Sequence, residues 1–485
     1  MRKNKGLLSI CCLVVFFIFC FLVGCSQDIQ KHQADRYLVG AHYYLWHPQN
    51  FQQGFLRQKL NSKQSPQLGL YSSNDIKVAE QHIRWCSEYG IDFLTIDYWP
   101  DRDRQNQIIF DTFLKANNIQ DIKFCIFYET WSLGFNKDLG TIVFDNKKTL
   151  RFVDDLLHIS QALFDHPSYL RVMNRPVIIL YLSRSFSGEY RSAIETARQS
   201  LKKNGYDPFI IGDEVFWKVT PIVERGGIPH PLTETPQVDR ILSFDAITAY
   251  NMYENGKKEH RGYGESSKFI RDVAAKYEEY IQAAGEKVFF VPMIMPGYND
   301  RGVRLGEDHY AIPRQWHPDA LEGSFLKESF ERLAFPFLDD RLNMILITSF
   351  NEWNEDTAIE PLAHSGPTNR DISPSGVSYT QGYYYEGFGM RYLEVIRDQV
   401  VAVSGRVTDE NGVPTRGIEI TARQNDKIQT AVTDSNGYYR ISRLGFKEGG
   451  CSIKITQAKK EKKITLRKDH AVTGVDFITS AFSVP

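Results

Sequence analysis

The residues best suited to chemistry lie in one short string, Ser349-Phe350-Asn351-Glu352-Trp353-Asn354-Glu355, directly after the apolar run Met344 to Ser349. Cleaving a glycosidic bond needs one carboxylic acid to protonate the departing oxygen. It needs a second carboxylate to activate or replace the nucleophile. Glu352 and Glu355, three residues apart, supply both groups, and the neighbouring Asn351 and Trp353 offer hydrogen bonds and a stacking face that would move a carboxyl pKa. An isolated Glu-x-x-Glu fits an exposed loop equally well, so its meaning depends on what positions it.

The positioning elements are legible upstream. Between Leu38 and Ser349, eight short β-rich runs alternate with helical patterns: Leu38 to Tyr44, Phe93 to Asp97, Lys123 to Tyr128, Val177 to Leu182, Phe209 to Gly212, Ala246 to Tyr250, Val288 to Met293, and Met344 to Ser349. Helices are expected at Asp75 to Tyr89, Gln105 to Ala116, Lys148 to Phe164, Tyr190 to Lys203, Ser266 to Ala284 and Gly323 to Leu333. Eight βα units predict an α/β fold, a (β/α)8 TIM barrel, in which catalytic groups sit at the carboxyl ends of the strands. There the sequence turns polar and aromatic. Tyr44, Trp46, Asp97, Trp99, Glu129, Tyr250, Asn251, Tyr298, Asp300 and Trp353 are the resulting candidates for substrate contact beside the catalytic pair Glu352 and Glu355. Asp213-Glu214 ends the fifth run in the same way.

Composition excludes several function classes. The 58 Lys+Arg balance 59 Asp+Glu, a net charge of -1, so there is no basic field to hold a phosphate backbone and nucleic acid is not an expected partner. Arg2, Lys3 and Lys5 precede an apolar run from Leu7 to Val23 that ends in Leu22-Val23-Gly24-Cys25. This resembles a bacterial lipoprotein signal, which implies removal of residues 1–24, lipid on Cys25, a linker over 25–36, and export to the cell envelope, at the outer membrane or cell surface. A plain amino-terminal transmembrane anchor is the alternative, since the run is near the ~18-residue threshold. Cys86, Cys125 and Cys451 remain in the folded part without CxxC or Cys/His spacing, and read as buried free thiols. No metal and no cofactor is called for.

Past Gly387 the pattern changes to short alternating strands with Gly and Asp turns and no helical period. The segments Ser404-Gly405-Arg406-Val407-Thr408-Asp409 and Thr433-Asp434-Ser435-Asn436-Gly437-Tyr438 resemble the carboxypeptidase regulatory-like family. That resemblance implies a small all-β, prealbumin-like sandwich over 400–485, after a catalytic domain over 37–398, serving as a spacer or sugar-binding module.

A second resemblance covers Leu38 to Tyr392. The string at 349–355 with Ile359-Glu360-Pro361, the first strand Gly40-Ala41-His42-Tyr43-Tyr44-Leu45-Trp46, Asp245 to Asn251, and Pro296-Gly297-Tyr298-Asn299-Asp300-Arg301 resemble glycoside hydrolase family 99 and the WbsX-like proteins of polysaccharide loci. The resemblance implies a metal-free barrel hydrolase that cleaves internal α-mannosidic linkages with retention. In that scheme Glu352 deprotonates the substrate's 2-hydroxyl and Glu355 is the acid, then the base. Tyr44, Glu129, Tyr250 and Tyr298 match substrate contacts. This chain reads Asn354-Glu355-Asp356 where hydrolases of the family carry His-Glu-Gly, and an added Asp beside the acid either raises its pKa or points away. Two rival readings stand beside this one: a non-catalytic glycan-binding lipoprotein, and a glycosyltransferase-related protein of polysaccharide metabolism. The expected partner in each is a glycan or polysaccharide, and a monomer is expected.

Overall fold

In the computed structural model, the described residues are 36–222, 231–255, 265–306, 309–456, 458 and 460–479. The apolar run at 7–23 and Cys25 lie outside them. Among the described residues no helix is long and apolar enough to cross a membrane.

Eight parallel strands form the barrel: β1 Leu38–Tyr43, β2 Phe93–Tyr98, β3 Lys123–Tyr128, β4 Arg175–Leu180, β5 Phe209–Asp213, β6 Ala246–Thr248, β7 in two pieces, Phe289–Val291 and Met293–Ile294, and β8 Met344–Ile347. Their sequences are nearly continuous apolar runs because both faces are covered, the inner by the barrel core and the outer by helices. Pro292 splits β7 because it has no N–H to give the ladder. Its carbonyl still accepts from Leu346 N at 3.0 Å. The first piece of β7 pairs with β6 and the second with β8, while β8 also pairs with β1, so the ring of strands closes.

The outer helices follow the expected order. Helix α1, Ile76–Tyr89, is capped by the Asp75 carboxylate, which accepts from Lys77 N at 2.9 Å. Next come α2 Asp103–Asp111, α3 Asn146–Leu163, α4 Tyr190–Lys203, α5 Ser266–Ala284 and α6 Ser324–Ser329. Two of them are shorter than the sequence suggests: α2 breaks at Thr112 into a separate 3-10 turn, Phe113–Lys115, and α6 passes into a wider π turn, Phe330–Ala334.

One expectation is corrected. The stretch after Gly387 does not turn at once to strands: α7, Arg391–Val400, comes first, burying Tyr392, Leu393, Ile396 and Val400 against the barrel. It runs straight into the first sandwich strand, Val401–Asp409. The sandwich packs a three-stranded sheet on a four-stranded one around Val403, Val407, Ile420, Tyr439, Ile453 and Phe477. Asp434 closes the turn of the sequence motif by accepting from Asn436 N and Tyr438 N, each at 2.8 Å. Gly437 is required there. Its φ is +71°, and a Cβ would stand 2.3 Å from Val407 O.

The sandwich sits against the amino-terminal base of the barrel, opposite the strand ends that carry the candidate residues. Arg440 pins it there. Its guanidinium donates to Asp92 Oδ1 at 2.6 Å and to the carbonyls of Cys86, Ser87 and Ile91 at 3.0–3.4 Å. Asp92 in turn accepts from Val39 N, on β1, at 2.8 Å. Arg440→Ala leaves Asp92 without its cation and takes one donor from each of three carbonyls, at a cost of about 1–3 kcal/mol. A lower melting temperature in calorimetry is expected; an unchanged one would mean the pin contributes nothing.

Candidate active site

The segment 349–361 is built before its carboxylates are placed. Asn351 uses both ends of its amide on one residue, accepting from Tyr44 N at 2.8 Å and donating to Tyr44 O at 2.9 Å, which ties the end of β8 to the end of β1. The loop also closes on itself. Glu352 N donates to Ser349 Oγ at 2.8 Å, and Ser349 N donates to Thr357 O at 2.9 Å.

Two neighbours of the candidate pair Glu352 and Glu355 have structural duties that spacing does not reveal. Trp353 is fully buried, packed against Phe55, with its indole N–H donating to Glu360 Oε2 at 3.0 Å. The stacking face expected of it is therefore turned into the core, because the buried Glu360 carboxylate needs that donor along with Tyr71 and His82. Asp356 points away from Glu355. Its Oδ1 pairs with Arg57 at 2.8 Å and Arg314 at 3.2 Å in a buried cluster that also holds Glu322. Its φ of +50° turns the chain there, a conformation Asp tolerates better than most residues.

This framework leaves Glu352 and Glu355 close enough to couple electrostatically, in unequal surroundings. Glu352 is 3% exposed, and its Oε1 accepts from Asn354 N at 2.8 Å. Burial, then the charge of Glu355, pushes its carboxyl well above the ordinary range. Burial raises Glu355 too, but the Arg304 guanidinium at 3.2 Å and the Tyr253 hydroxyl at 2.5 Å pull it back. Arg304 also donates to Asp300 Oδ2 at 2.9 Å. Despite its burial, Asp300 is held below the usual carboxylate value by His309 and Arg304. The pair thus favours a proton on Glu352 and charge on Glu355.

Aromatic residues wall this centre on two sides. On one, the Tyr44 hydroxyl bonds the Tyr250 hydroxyl, and the Tyr44 ring stacks on Trp46 with centroids 4.3 Å apart. On the other, Tyr253 stacks on Tyr298 at 4.2 Å. Farther around the ring, Asp97 accepts from Trp99 Nε1 at 2.9 Å and from Gln105 at 3.1 Å. Burial lifts Asp97 to about 7, and burial together with Asp97 lifts Glu129 well above its usual value. Asp97 and Glu129 hydrogen-bond each other, one carboxyl holding the proton between them, while the buried Trp46 Nε1 has no protein acceptor. Asn251 accepts from Arg184 at 2.7 Å, and Arg184 also pairs with Asp213, so these two serve the scaffold of the fifth and sixth strands.

Compared with known proteins, the family model described as Glycosyltransferase WbsX matches residues 55–370, more than half of the chain. The chain belongs to the WbsX family. A second model, described as Carboxypeptidase regulatory-like domain, matches residues 402–478 of this WbsX-family protein. The glycoprotein endo-alpha-1,2-mannosidase of Mus musculus is 23% identical over 307 residues, covering 61% of this chain and 56% of that protein. The chain thus spans just over half the length of this curated relative. Among solved structures, a "Glycoside hydrolase-like protein" is 20% identical, with a TM-score of 0.53 over 75% of this chain and 94% of that one. The family 99 endo-alpha-mannosidase from Bacteroides thetaiotaomicron is 18% identical, with a TM-score of 0.49 over 75% and 95%. The barrel of this WbsX-family chain has the glycoside hydrolase-like fold.

Sequence reasoning did not find Tyr253 and Arg304, the two donors that set Glu355 apart from Glu352. Each follows a strand end by several residues, and its role comes from the loop's path. Tyr253→Phe removes a hydrogen bond to a charged group, an interaction of about 1.5–3 kcal/mol. The Glu355 carboxyl is expected to titrate about one unit higher in carbon-13 NMR of glutamate-labelled protein. An unmoved titration would show that the Tyr253 hydroxyl does not support the charge.

Proposed function

We propose that this chain is a retaining glycoside hydrolase acting on α-mannosidic linkages of a glycan or polysaccharide, with Glu352 and Glu355 as its catalytic residues. The observation that carries the reading is the unequal environment of the two carboxyls. In the first step, Glu352 takes the proton of the substrate's 2-hydroxyl, whose oxygen attacks the anomeric carbon as the glycosidic bond breaks. Glu355 gives its proton to the leaving oxygen. The pair begins with its one proton on Glu355 and ends with it on Glu352.

That final distribution is the one the protein favours: Arg304 and Tyr253 stabilise the Glu355 carboxylate as it forms, and burial favours protonated Glu352. Because the resting pair already holds its proton on Glu352, the productive form is reached by first moving that proton to Glu355. From there Arg304 and Tyr253 stabilise the charge that develops, which lowers the barrier of the bond-breaking step at the cost of that prior shift. In the second step, Glu355 takes a proton from water, the water oxygen attacks the anomeric carbon, and Glu352 returns its proton to the 2-oxygen. An internal nucleophile already in line also gains effective concentration.

Tyr44, Trp46, Tyr250 and Tyr298 are read as the walls of the sugar site, with Asp97, Trp99 and Glu129 binding hydroxyls. Asp300 serves by holding Arg304. The protein is read as exported and held at the cell envelope by lipid on Cys25. The glycosyltransferase description of its family favours a second reading, transfer from a sugar nucleotide.

Three measurements test this. Purified protein is expected to release oligosaccharides from α-mannan, and Glu355→Gln to lower that rate by about 10²–10⁴-fold while still binding the polymer. Retained activity would remove Glu355 from the acid role, and turnover of nucleotide sugars without release from mannan would favour transfer. The pH profile is expected to be bell-shaped. Activity falls on the acid side as the base form is lost, and on the alkaline side as the shared proton leaves, with the alkaline limb above the ordinary carboxylate range because burial raises both groups.

A further inference from the structure

A second concave site lies on the catalytic face of the barrel, on the loops after β7 and β8. It is a cavity of about 270 Å³ whose lining includes Trp316, Tyr383, Tyr384, Gln315, His317 and Gln381. We propose that it is a distal subsite holding one pyranose ring of an extended glycan. The proposal deepens the hydrolase reading and rests on it for the kind of ligand.

Three observations support it. First, the backbone that carries the aromatic residues is tied down, and one of the rings stands half exposed. Tyr384 is 51% exposed, yet its carbonyl accepts from Gln315 Nε2 at 2.7 Å, while the Gln315 carbonyl accepts from Ser266 Oγ at 2.7 Å. Trp316 N donates to Ser324 Oγ at 2.9 Å, and Arg332 lies 5.1 Å from the centre of the Trp316 ring. Aromatic rings fixed at a surface suit the flat apolar face of a sugar, with the nearby amides and imidazole for its hydroxyls.

Second, the size is selective. Pockets for drug-sized ligands run from about 300 Å³ upward, so a cavity just under that bound takes a single ring rather than an oligosaccharide.

Third, one wall of the cavity is tied through the loop after β7 to residues beside Glu355. Gln381 Oε1 accepts from Ala311 N at 2.8 Å, and the next residue, Ile312, bridges to Tyr298. Tyr298 stacks on Tyr253, which donates to Glu355.

The test compares Glu355→Gln protein with the same protein carrying Trp316→Ala and Tyr384→Ala. Binding to yeast α-mannan is read by affinity electrophoresis, and binding to an α-mannotetraose by calorimetry. The expected result is that the ratio of polymer to tetrasaccharide affinity falls at least tenfold. Tyr384→Ala alone, at a half-exposed side chain, is expected to lower it in the same direction if the double variant fails to fold. An unchanged ratio, in protein that cleaves mannan when Glu355 is present, overturns the subsite and leaves the hydrolase reading intact. Tyr384-dependent binding without any cleavage keeps the subsite and overturns hydrolysis. No retention of the Glu355→Gln protein on mannan overturns the subsite.

Discussion

Two carboxyl groups buried side by side cannot both carry charge at ordinary cost, and much of the barrel's catalytic end is arranged around that constraint. Among the described residues one cation, Arg304, reaches Glu355 and none comes as close to Glu352, so the pair is set to keep a single proton between them. A symmetric environment would leave no preference for where it sits. The Tyr253 hydroxyl and the Asp300–Arg304 pair break the symmetry, so that the charge settles on Glu355 and the proton on Glu352.

Keeping such a pair buried requires a scaffold that does not yield, and it comes from charges and amides bound to one another. Asn351 ties the first and last strands together, Glu360 gathers Trp353, Tyr71 and His82, and Asp356 is fixed by two arginines. Removing one partner from a buried group of this kind is strongly destabilising, because the other is left uncompensated. The conspicuous string at 349–361 thus interleaves two kinds of residue. Glu352 and Glu355 are the proposed chemical pair, while Asn351, Trp353, Asp356 and Glu360 hold the loop that carries them.

That interleaving also explains what the sequence shows and what it hides. The barrel was legible because each strand is a buried apolar run and each run ends in polar or aromatic residues such as Asp97 and Glu129. The sandwich was legible from its Asp434 to Gly437 turn, in which only a short polar side chain and a glycine fit. Helix α7 was missed despite the helical spacing of Tyr392, Ile396 and Val400, since the Gly-rich approach to it looks like the strand pattern beyond. Trp353 reads as a stacking residue until its N–H is traced to Glu360, because spacing does not tell an inward from an outward side chain. Tyr253 and Arg304 are set by loop paths that no local periodicity encodes.

The central claim is that Glu352 and Glu355 cleave an α-mannoside through an intermediate in which the substrate's own 2-oxygen has displaced the leaving group. Two inversions at the anomeric carbon restore its starting configuration. Proton NMR of the first product formed from an α-mannooligosaccharide, recorded before mutarotation, tests this most directly. The account predicts the α-anomer at the new reducing end; a β-anomer as first product would contradict it.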